Sequence, residues 1–254
     1  MNSDSTAILV LAGVAGGLIN ALAGGATLIT FPAMLAAGLP AITANASNAV
    51  AISPGHLIAA LADHAKLPGW TKRTIAFVAA ALLGGVIGAT VLLLLPERLF
   101  VLPVPALIAF ATLLFLFAPR IQAWSARRQG FSGPPSARLS AAFLGLACIY
   151  GGFFGAGLGV ILTAVLSITE TNDLRAIKAL KNLLASCVAV ASTAIFILQQ
   201  AVHWPETVAM LLGALLGGYG GGHLIRVLPA LYVRWFVIAA GAVMTVIYGV
   251  RYWL

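Results

Sequence analysis

The side chains that could bind a small ion lie in or beside two apolar, glycine-rich stretches, residues 5–37 and 139–169. Glycines near the middle of each stretch predict a break, after which a second short helix begins near Ala26 and near Gly157. The N–H groups and dipole of a helix N-terminus attract anions. The candidate anion-binding residues are Asn20, Gly24, Gly25, Thr27, Ser47, Asn48, Gly157, Gly159, Thr163, Lys178, Lys181 and Asn182.

The charged candidates follow the second glycine-rich stretch. Arg175, Lys178 and Asn182 are spaced i, i+3 and i+7, so they share one face of a helix, and Lys181 flanks that face. Together they could surround an anion. Two other interpretations stay open: Arg175 and Lys178 extend to lipid headgroups, and Asn48 and Asn182 form hydrogen bonds between helices.

A histidine offers a second kind of chemistry. His56 lies inside an apolar run directly after Ser53-Pro54-Gly55, where the proline is expected to bend a helix. It can serve as a proton relay, or it is a packing residue whose ring is satisfied by neighbours. Asp63 and His64, further along the same run, are expected to form a solvated helix end.

Composition places these residues in a membrane. Of 254 residues, 61% are hydrophobic and only 8% are charged, whereas about a quarter is usual for a soluble domain. Residues 5–62 contain no Asp, Glu, Lys or Arg. This uncharged stretch is much longer than the roughly 20 residues that one crossing needs. The basic residues form short clusters between apolar runs, so they indicate membrane topology and not nucleic-acid binding.

No cofactor, metal site or enzymatic activity is predicted. Cys148 and Cys187 lie in separate apolar runs, where packing explains them. The sequence contains no nucleophile elbow, no phosphate-binding loop of the Gly-x-x-x-x-Gly-Lys type and no His-Glu-x-x-His helix. The chain therefore lacks a constellation that would predict catalysis.

Six uncharged stretches have the length of ordinary membrane-spanning helices. They are residues 41–62, 74–95, 99–118, 182–202, 207–225 and 235–250. The two glycine-rich stretches differ, because 139–169 as one straight helix would reach roughly 46 Å across a hydrocarbon core of about 30 Å. Each is therefore predicted to form two short helices joined at the glycines.

The two halves of the chain resemble each other at a nearly constant offset of 135 to 133 residues. Short motifs recur in the same order, which predicts an internal duplication. The matched pairs are Gly16-Gly17 with Gly151-Gly152, Asn48 with Asn182, Trp70 with Trp204, Leu82-Leu83-Gly84-Gly85 with Leu215-Leu216-Gly217-Gly218, and Leu95-Pro96 with Leu228-Pro229.

Positive charge then favours one topology. If each glycine-rich stretch enters and leaves the membrane on the same side, twelve of the 14 Lys and Arg residues are cytoplasmic, and only Arg98 and Arg251 are outside. The predicted fold is an all-α polytopic membrane protein with two inverted repeats, each a glycine-broken re-entrant helical hairpin plus three transmembrane helices. The repeats are 1–123 and 139–254, joined by a cytoplasmic linker, 124–138, and both termini are periplasmic.

The glycine-rich strings also carry a family resemblance. The first string runs from Gly17 to Pro32 and is followed by Gly38-Leu39-Pro40 and Ser47-Asn48. The second runs from Tyr150 to Gly159 and is followed by Leu174-Arg175-Ala176 and Lys181-Asn182. Over essentially the whole chain this duplicated order resembles the sulfite exporter TauE/SafE family, also called the toluene sulfonate uptake permease family.

The resemblance implies transport of small sulfur-containing anions, such as sulfite or organosulfonates, across a bacterial inner membrane. Export with alternating access between the repeats is expected, and His56 would serve proton coupling. The alternatives are an uptake permease for another small organic anion and a non-transporting or enzymatic membrane protein. The expected partners are a small anionic substrate and the lipid bilayer, with a homodimer as an open alternative and no nucleic acid. The positions that match the family motifs are Asn20, Gly24, Gly25, Pro32, Ser47, Asn48, Gly155, Gly157, Gly159, Arg175 and Asn182.

Overall fold

The computed structural model describes residues 3–22, 25–128, 137–170, 174–224 and 230–254. Helices account for all of the regular structure in these ranges. In the first half they are α1 (Ser3–Leu22), α2 (Thr27–Ala36), α3 (Ala41–Ala62), a 3₁₀ turn (His64–Lys66), α4 (Lys72–Leu94), α5 (Glu97–Val101) and α6 (Val104–Arg128). In the second half they are α7 (Ala137–Phe153), α8 (Leu158–Thr169), α9 (Leu174–Leu198), α10 (Trp204–Leu224) and α11 (Ala230–Trp253).

Four helical segments are long and apolar enough to cross a membrane: Lys72–Leu94, Glu97–Trp124, Arg175–Leu198 and Leu231–Trp253. They correspond to four of the six predicted spans. The other two predicted spans form α3, with 22 residues, and α10, with 21, which are long enough to cross. Polar side chains lower the mean hydropathy of α3. The chain is a helical, polytopic membrane protein.

The first glycine-rich stretch folds back on itself between α1 and α2. Gly25 has a φ of 118°, a conformation that glycine adopts readily, while Gly24 lies outside the described residues. A side chain at Gly16 of α1 would collide with Thr30 of α2. In one straight helix these two residues would be about 21 Å apart. We call α1 and α2 the first hairpin.

The second stretch also reverses at its glycines. Gly155 and Gly157 have φ values of 77° and 79°, and the side chain of Leu158 lies against Gly151, which a straight helix would place about 10 Å away. We call α7 and α8 the second hairpin. Its returning helix α8 has 12 residues and α2 has 10, so each is shorter than the roughly 30 Å core of a bilayer.

Packing between helices follows the same plan in both halves. Helix α1 packs on α10 and α4 on α7, α4 also packs on α9 and α10 on α3, and α3 packs on α9 and α6 on α11. The counterparts of α1, α2, α3, α4 and α6 are α7, α8, α9, α10 and α11. If each helix is exchanged with its counterpart, this set of neighbours is unchanged. Glycines permit backbone contact at the closest pairs, because a side chain at Gly17 or Gly217 would strike the carbonyl group of Ala214 or Val14.

Contacts between helix ends define two ends of the bundle. At the Glu97 end, the carboxylate of Glu97 accepts hydrogen bonds from the N–H groups of Ala41 and Ile42 at the start of α3. At the Asp63 end, Arg73 at the start of α4 donates a hydrogen bond of 2.6 Å to the carbonyl oxygen of Thr169 at the end of α8. Helix α3 runs from the Glu97 end to the Asp63 end.

The helices extend into the predicted linker at 124–138. Helix α6 continues to Arg128 and α7 begins at Ala137. What remains between them, residues 129–136, lies outside the described ranges.

Candidate functional site

The two hairpin turns meet on one short segment of α6. Gly25 faces the ring of Phe115, and Gly157 lies against the side chain of Leu114, one residue earlier on α6. The rings of Phe31 and Phe154, one from each hairpin, form an edge-to-face pair with centroids 5.3 Å apart. Both turns are therefore adjacent and enclosed by protein.

Helix α2 begins inside the protein without a side-chain cap. Ala26, directly before it, is 1% exposed, and its first residue, Thr27, is also buried. The first hydrogen bond across the turn is from the N–H of Leu28 to the carbonyl oxygen of Gly25, at 3.1 Å. Buried helix starts usually have a partner for their first N–H groups, so this end is suited to an acceptor from outside the helix.

Helix α8 begins in the same way, with Gly157 before it and no side-chain cap. Lys181 of α9 lies directly beside this start, because a Cβ added at Gly159 would lie 3.8 Å from its Cδ. Thr163, one turn further along α8, uses its hydroxyl to donate a 2.7 Å hydrogen bond to the carbonyl oxygen of Gly159. A lysine and an uncapped helix N-terminus thus occupy the same place, and both attract negative charge.

Lys181 is half-buried between helices α8 and α9 and the polar end of α3. Among the described residues, no hydrogen bond or ion pair within 4.0 Å joins its ammonium group to another side chain. His56 of α3 is close enough to interact with it electrostatically, as is Asp63. The structure therefore places Lys181 beside the start of α8 and within electrostatic range of His56 and Asp63.

Asp63 organises the rest of this region. Its Oδ2 atom accepts a 2.8 Å hydrogen bond from Nδ2 of Asn182 and lies 3.9 Å from Nζ of Lys178, while Oδ1 lies 3.1 Å from Nζ of Lys66. Only 8% of the residue is exposed. The expectation of a solvated helix end holds for His64, which is exposed, but is wrong for Asp63, because tertiary packing against α9 covers it.

Neighbouring charged groups and hydrogen bonds determine the protonation state of Asp63. Burial raises the pKa of its carboxyl group, but the hydrogen bond from Lys66, the charges of Lys178 and Lys66 and the hydrogen bond from Asn182 together bring the pKa below its usual value of 3.8. The group is therefore a carboxylate near neutral pH. The Asn182 contact also matches the open interpretation of this residue as a hydrogen-bonding partner between helices.

Ser47 and Asn48 lie in the first half of α3, which contacts the second hairpin where Nδ2 of Asn45 donates a 3.0 Å hydrogen bond to the carbonyl oxygen of Phe153. The Oγ atom of Ser47 accepts a 2.9 Å hydrogen bond from the backbone N–H of His203, which precedes α10. Asn48 is 1% exposed, and its Oδ1 atom has no hydrogen-bond partner among the described residues. Asn48 and Asp63 are 15 residues apart on α3, or roughly 22 Å. The structure therefore does not bring Asn48 and Asn182 together.

Asn20 occupies a third position, where the first hairpin meets α3. Its Nδ2 atom lies so close to Gly55 that a Cβ there would be 2.8 Å away. This contact joins the end of α1 to α3 one residue before His56. The predicted residues thus lie at several levels along the bundle.

Two residues that hydrogen-bond to predicted site residues were not predicted from the sequence: Asp63, which binds Asn182, and His203, which binds Ser47. A signal for Asp63 was available, since it is the first charged residue after 58 uncharged ones and ends a helix that is rich in polar residues. His203 takes part through its backbone, so its side-chain type gave no indication. Within the described ranges, no group of three His, Cys, Asp or Glu residues is placed to hold a metal ion.

Comparison with known proteins assigns the family. The family described as sulfite exporter TauE/SafE matches residues 9–248, which is nearly the whole chain. The chain belongs to the TauE/SafE family. This assignment confirms the resemblance and places the protein among membrane transporters and not among enzymes.

Two relatives of this TauE/SafE protein carry transporter names. A probable membrane transporter protein of Haemophilus influenzae is 30% identical over 243 residues, covering 95% of this chain and 93% of the relative. The probable membrane transporter protein YfcA of Escherichia coli is 25% identical over 239 residues, covering 94% of this chain and 87% of YfcA. No solved structure gives a significant match.

Proposed function

We propose that the protein exports small sulfur-containing anions, such as sulfite or organosulfonates, across the bacterial inner membrane. The observation that carries the proposal is Lys181 beside the uncapped start of α8. A buried cation and a helix N-terminus are each costly without a negative partner, and a dianion or sulfonate supplies acceptor oxygens for both. The family description supports sulfur oxyanions as the substrate class.

The proposed pathway passes between the two halves at the level of the hairpin turns. Irregular backbone inside a membrane is tolerated where it is buried in protein or lines a polar cavity, and both turns contact α6 from within the bundle. Thr27 and Gly25 would supply contacts from the first hairpin, and Gly157, Gly159 and Thr163 from the second. Ser47 and Asn48 would line the route toward the Glu97 end, and Lys178 and Asn182 the route toward the Asp63 end.

We further propose that the halves are inverted repeats that exchange access between the two ends. Gly17 of α1 contacts Ala214 of α10, and Gly13 contacts Met210, so these two helices run in the same direction. Helices α4 and α7 run parallel in the same way, since Gly84 contacts Cys148 and Gly88 contacts Gly152. Within the first half the chain reverses three times between α1 and α4, so α1 and α4 run in opposite directions. Helix α10, the counterpart of α4, runs in the same direction as α1, which supports opposite orientations of the halves.

Charge supports the orientation in the membrane. Among the described basic residues, Arg98 and Arg251 belong to the Glu97 end, and the clusters around Lys66, Arg73 and Lys178 belong to the Asp63 end. Positive residues concentrate on the cytoplasmic side. We therefore assign the Asp63 end to the cytoplasm and both termini, at the Glu97 end, to the periplasm.

Transport of labelled sulfite and methanesulfonate in proteoliposomes tests the proposed substrate class. We expect efflux faster than from protein-free liposomes, and Lys181→Met is expected to abolish the difference. If no sulfur oxyanion moves faster than in protein-free liposomes, the substrate class is wrong. If another organic acid moves inward in cells that contain the protein, and neither sulfite nor methanesulfonate competes with it, the protein is an uptake permease of the alternative kind.

A further inference from the structure

Asp63 stands in an unusual place for a carboxylate. It directly follows the last residue of α3, where the helix dipole presents partial negative charge and disfavours another negative group. It is also nearly fully buried. Cations must therefore stabilise it, and the structure supplies them from two elements.

The charged groups around Asp63 do not balance. Lys66 of the 3₁₀ turn and Lys178 of α9 pair with it, Lys181 of α9 interacts with it electrostatically, and His64 is its neighbour in the chain. Three positive charges therefore act on one carboxylate. An anion that binds beside Lys181 would offset part of this excess of positive charge.

The carboxylate occupies hydrogen-bonding groups that an anion would use. Asn182 donates its amide N–H to Oδ2 of Asp63, and Lys178 approaches the same oxygen. Both residues belong to the predicted anion-binding set. A bound anion near Lys181 and the carboxylate of Asp63 would repel each other while they compete for these donors.

We propose that Asp63 is an internal competitor of the transported anion, whose carboxylate holds Asn182 and Lys178 until the anion displaces it. This inference rests on the proposed anion site beside Lys181. Asp63 acts as a positioning residue, because it sets where the donors of α9 point and how strongly they attract the substrate.

Competition of this kind links anion binding to proton binding. An anion close to Asp63 raises the free energy of the carboxylate and so favours its protonation. A protonated Asp63 no longer competes for the lysines. Binding of the anion and uptake of a proton therefore favour each other, which provides a route to proton coupling through Asp63.

The test compares anion affinity in wild type and in Asp63→Asn. The probe is methanesulfonate, a strong acid whose charge stays constant between about pH 4 and about pH 7, and calorimetry on the purified protein in detergent gives Kd. At about pH 7 we expect Asp63→Asn to bind roughly 5- to 10-fold more tightly, because the internal competitor has been neutralised. Because the pKa of Asp63 lies below 3.8, the ratio of the two Kd values should be constant near neutral pH and begin to decrease as the pH falls to about 4.

Glu170→Gln is the matched control, because it also replaces a carboxylate with an amide at the Asp63 end. Glu170 pairs with Arg73 of α4 at 2.7 Å. We expect its Kd to stay within about twofold of wild type. An equal gain in methanesulfonate affinity in Glu170→Gln would mean that any loss of negative charge at this end tightens binding. That result would overturn the assignment to Asp63.

The remaining outcomes separate this inference from the proposed function. If wild type binds methanesulfonate and Asp63→Asn has the same Kd and pH dependence, the inference is wrong and the anion site stands. If wild type and both variants fail to bind any sulfur oxyanion, the anion site and the inference both fail.

A measurement on wild type covers the case in which Asp63→Asn does not fold. Calorimetry at about pH 4 in buffers with different ionisation enthalpies counts the protons exchanged on binding, in wild type and in His56→Gln, because His56 also lies within electrostatic range of Lys181. We expect net proton uptake with methanesulfonate. Zero uptake, or release, would contradict the competition.

Discussion

The Ser47-Asn48 pair on α3 and the Lys181-Asn182 pair on α9 occupy matched positions in the two halves but have different surroundings. Ser47 binds a backbone N–H group before α10, and the neighbouring Asn48 amide keeps an oxygen without a partner among the described residues. Asn182 is bound to Asp63, and Lys181 lies beside the start of α8. The repeated framework is therefore neutral in one half and charged in the other.

The two halves share their helical framework but differ in the charge at these matched positions. Both halves keep a hairpin, a glycine turn and an asparagine near the start of the following helix. At these matched positions only the second copy carries a charge, Lys181, and the carboxylate that Asn182 binds, Asp63, comes from the first half. Anion affinity should therefore depend more on Lys181 than on Ser47 and Asn48.

The largest expected effect is on the turns. Gly25→Ala would place a side chain against the ring of Phe115 at a left-handed backbone position, so we expect a loss of about 2 to 5 kcal/mol in stability. The contrasting change in the second half is Gly159→Ala, which lies inside α8, meets only Lys181 at van der Waals distance and should cost less than about 1 kcal/mol. Melting temperatures of the detergent-solubilised variants measure the contrast, and equal losses would contradict it.

The next effect concerns charge. Lys181→Met keeps the length of the side chain and removes its ammonium group, so we expect methanesulfonate affinity to fall roughly 10- to 100-fold. Ser47→Ala changes the matched position of the first half and should alter affinity by less than about threefold. Calorimetric Kd values decide this. A larger loss of methanesulfonate affinity in Ser47→Ala than in Lys181→Met would mean that the first half, and not Lys181, dominates anion binding.

A smaller effect distinguishes the two asparagines. Asn182→Ala removes a hydrogen bond to the carboxylate of Asp63, so stability should fall by about 1.5 to 3 kcal/mol while the protein stays monodisperse. Asn48→Ala removes an amide whose oxygen has no partner in the described structure, and should leave the melting temperature nearly unchanged while weakening methanesulfonate binding. A loss of stability in Asn48→Ala equal to that in Asn182→Ala would mean that Asn48 is also a structural bridge.

The smallest effect is a dependence of stability on pH. The folded state holds the pKa of Asp63 below its usual value, so its contribution is present above 3.8 and is lost as the pH falls through the lower, folded-state value. Wild type should therefore melt at a higher temperature than Asp63→Asn near neutral pH, and the difference should shrink in acid. A difference that grows in acid would contradict this sign.

Much of the fold could be predicted from the sequence because lipid restricts the options. Long uncharged stretches predicted helices, and α2 and α8 begin next to Ala26 and Gly157, where glycines indicated breaks. The apolarity of α3 was overestimated, since a stretch without charges still contains Asn45, Asn48 and His56. Absence of charge is a weaker criterion than mean hydropathy.

The arrangement of the site could be predicted only in part. The sequence indicated Lys181 and the start of α8 separately, but only packing of α9 on α8 sets one against the other. It also matched Asn48 with Asn182, although antiparallel packing of α3 and α9 separates them along the bundle. Sequence similarity identifies equivalent positions, whereas distance between them depends on helix direction.

A structure with selenite, the heavier analogue of sulfite, tests the central claim most directly, because anomalous scattering locates selenium without reference to the rest of the map. We expect a single strong peak within hydrogen-bonding distance of the Lys181 ammonium group and the N–H groups at the start of α8. A peak at another site, or no peak in crystals grown under conditions where selenite binding is measured in solution, would contradict the account.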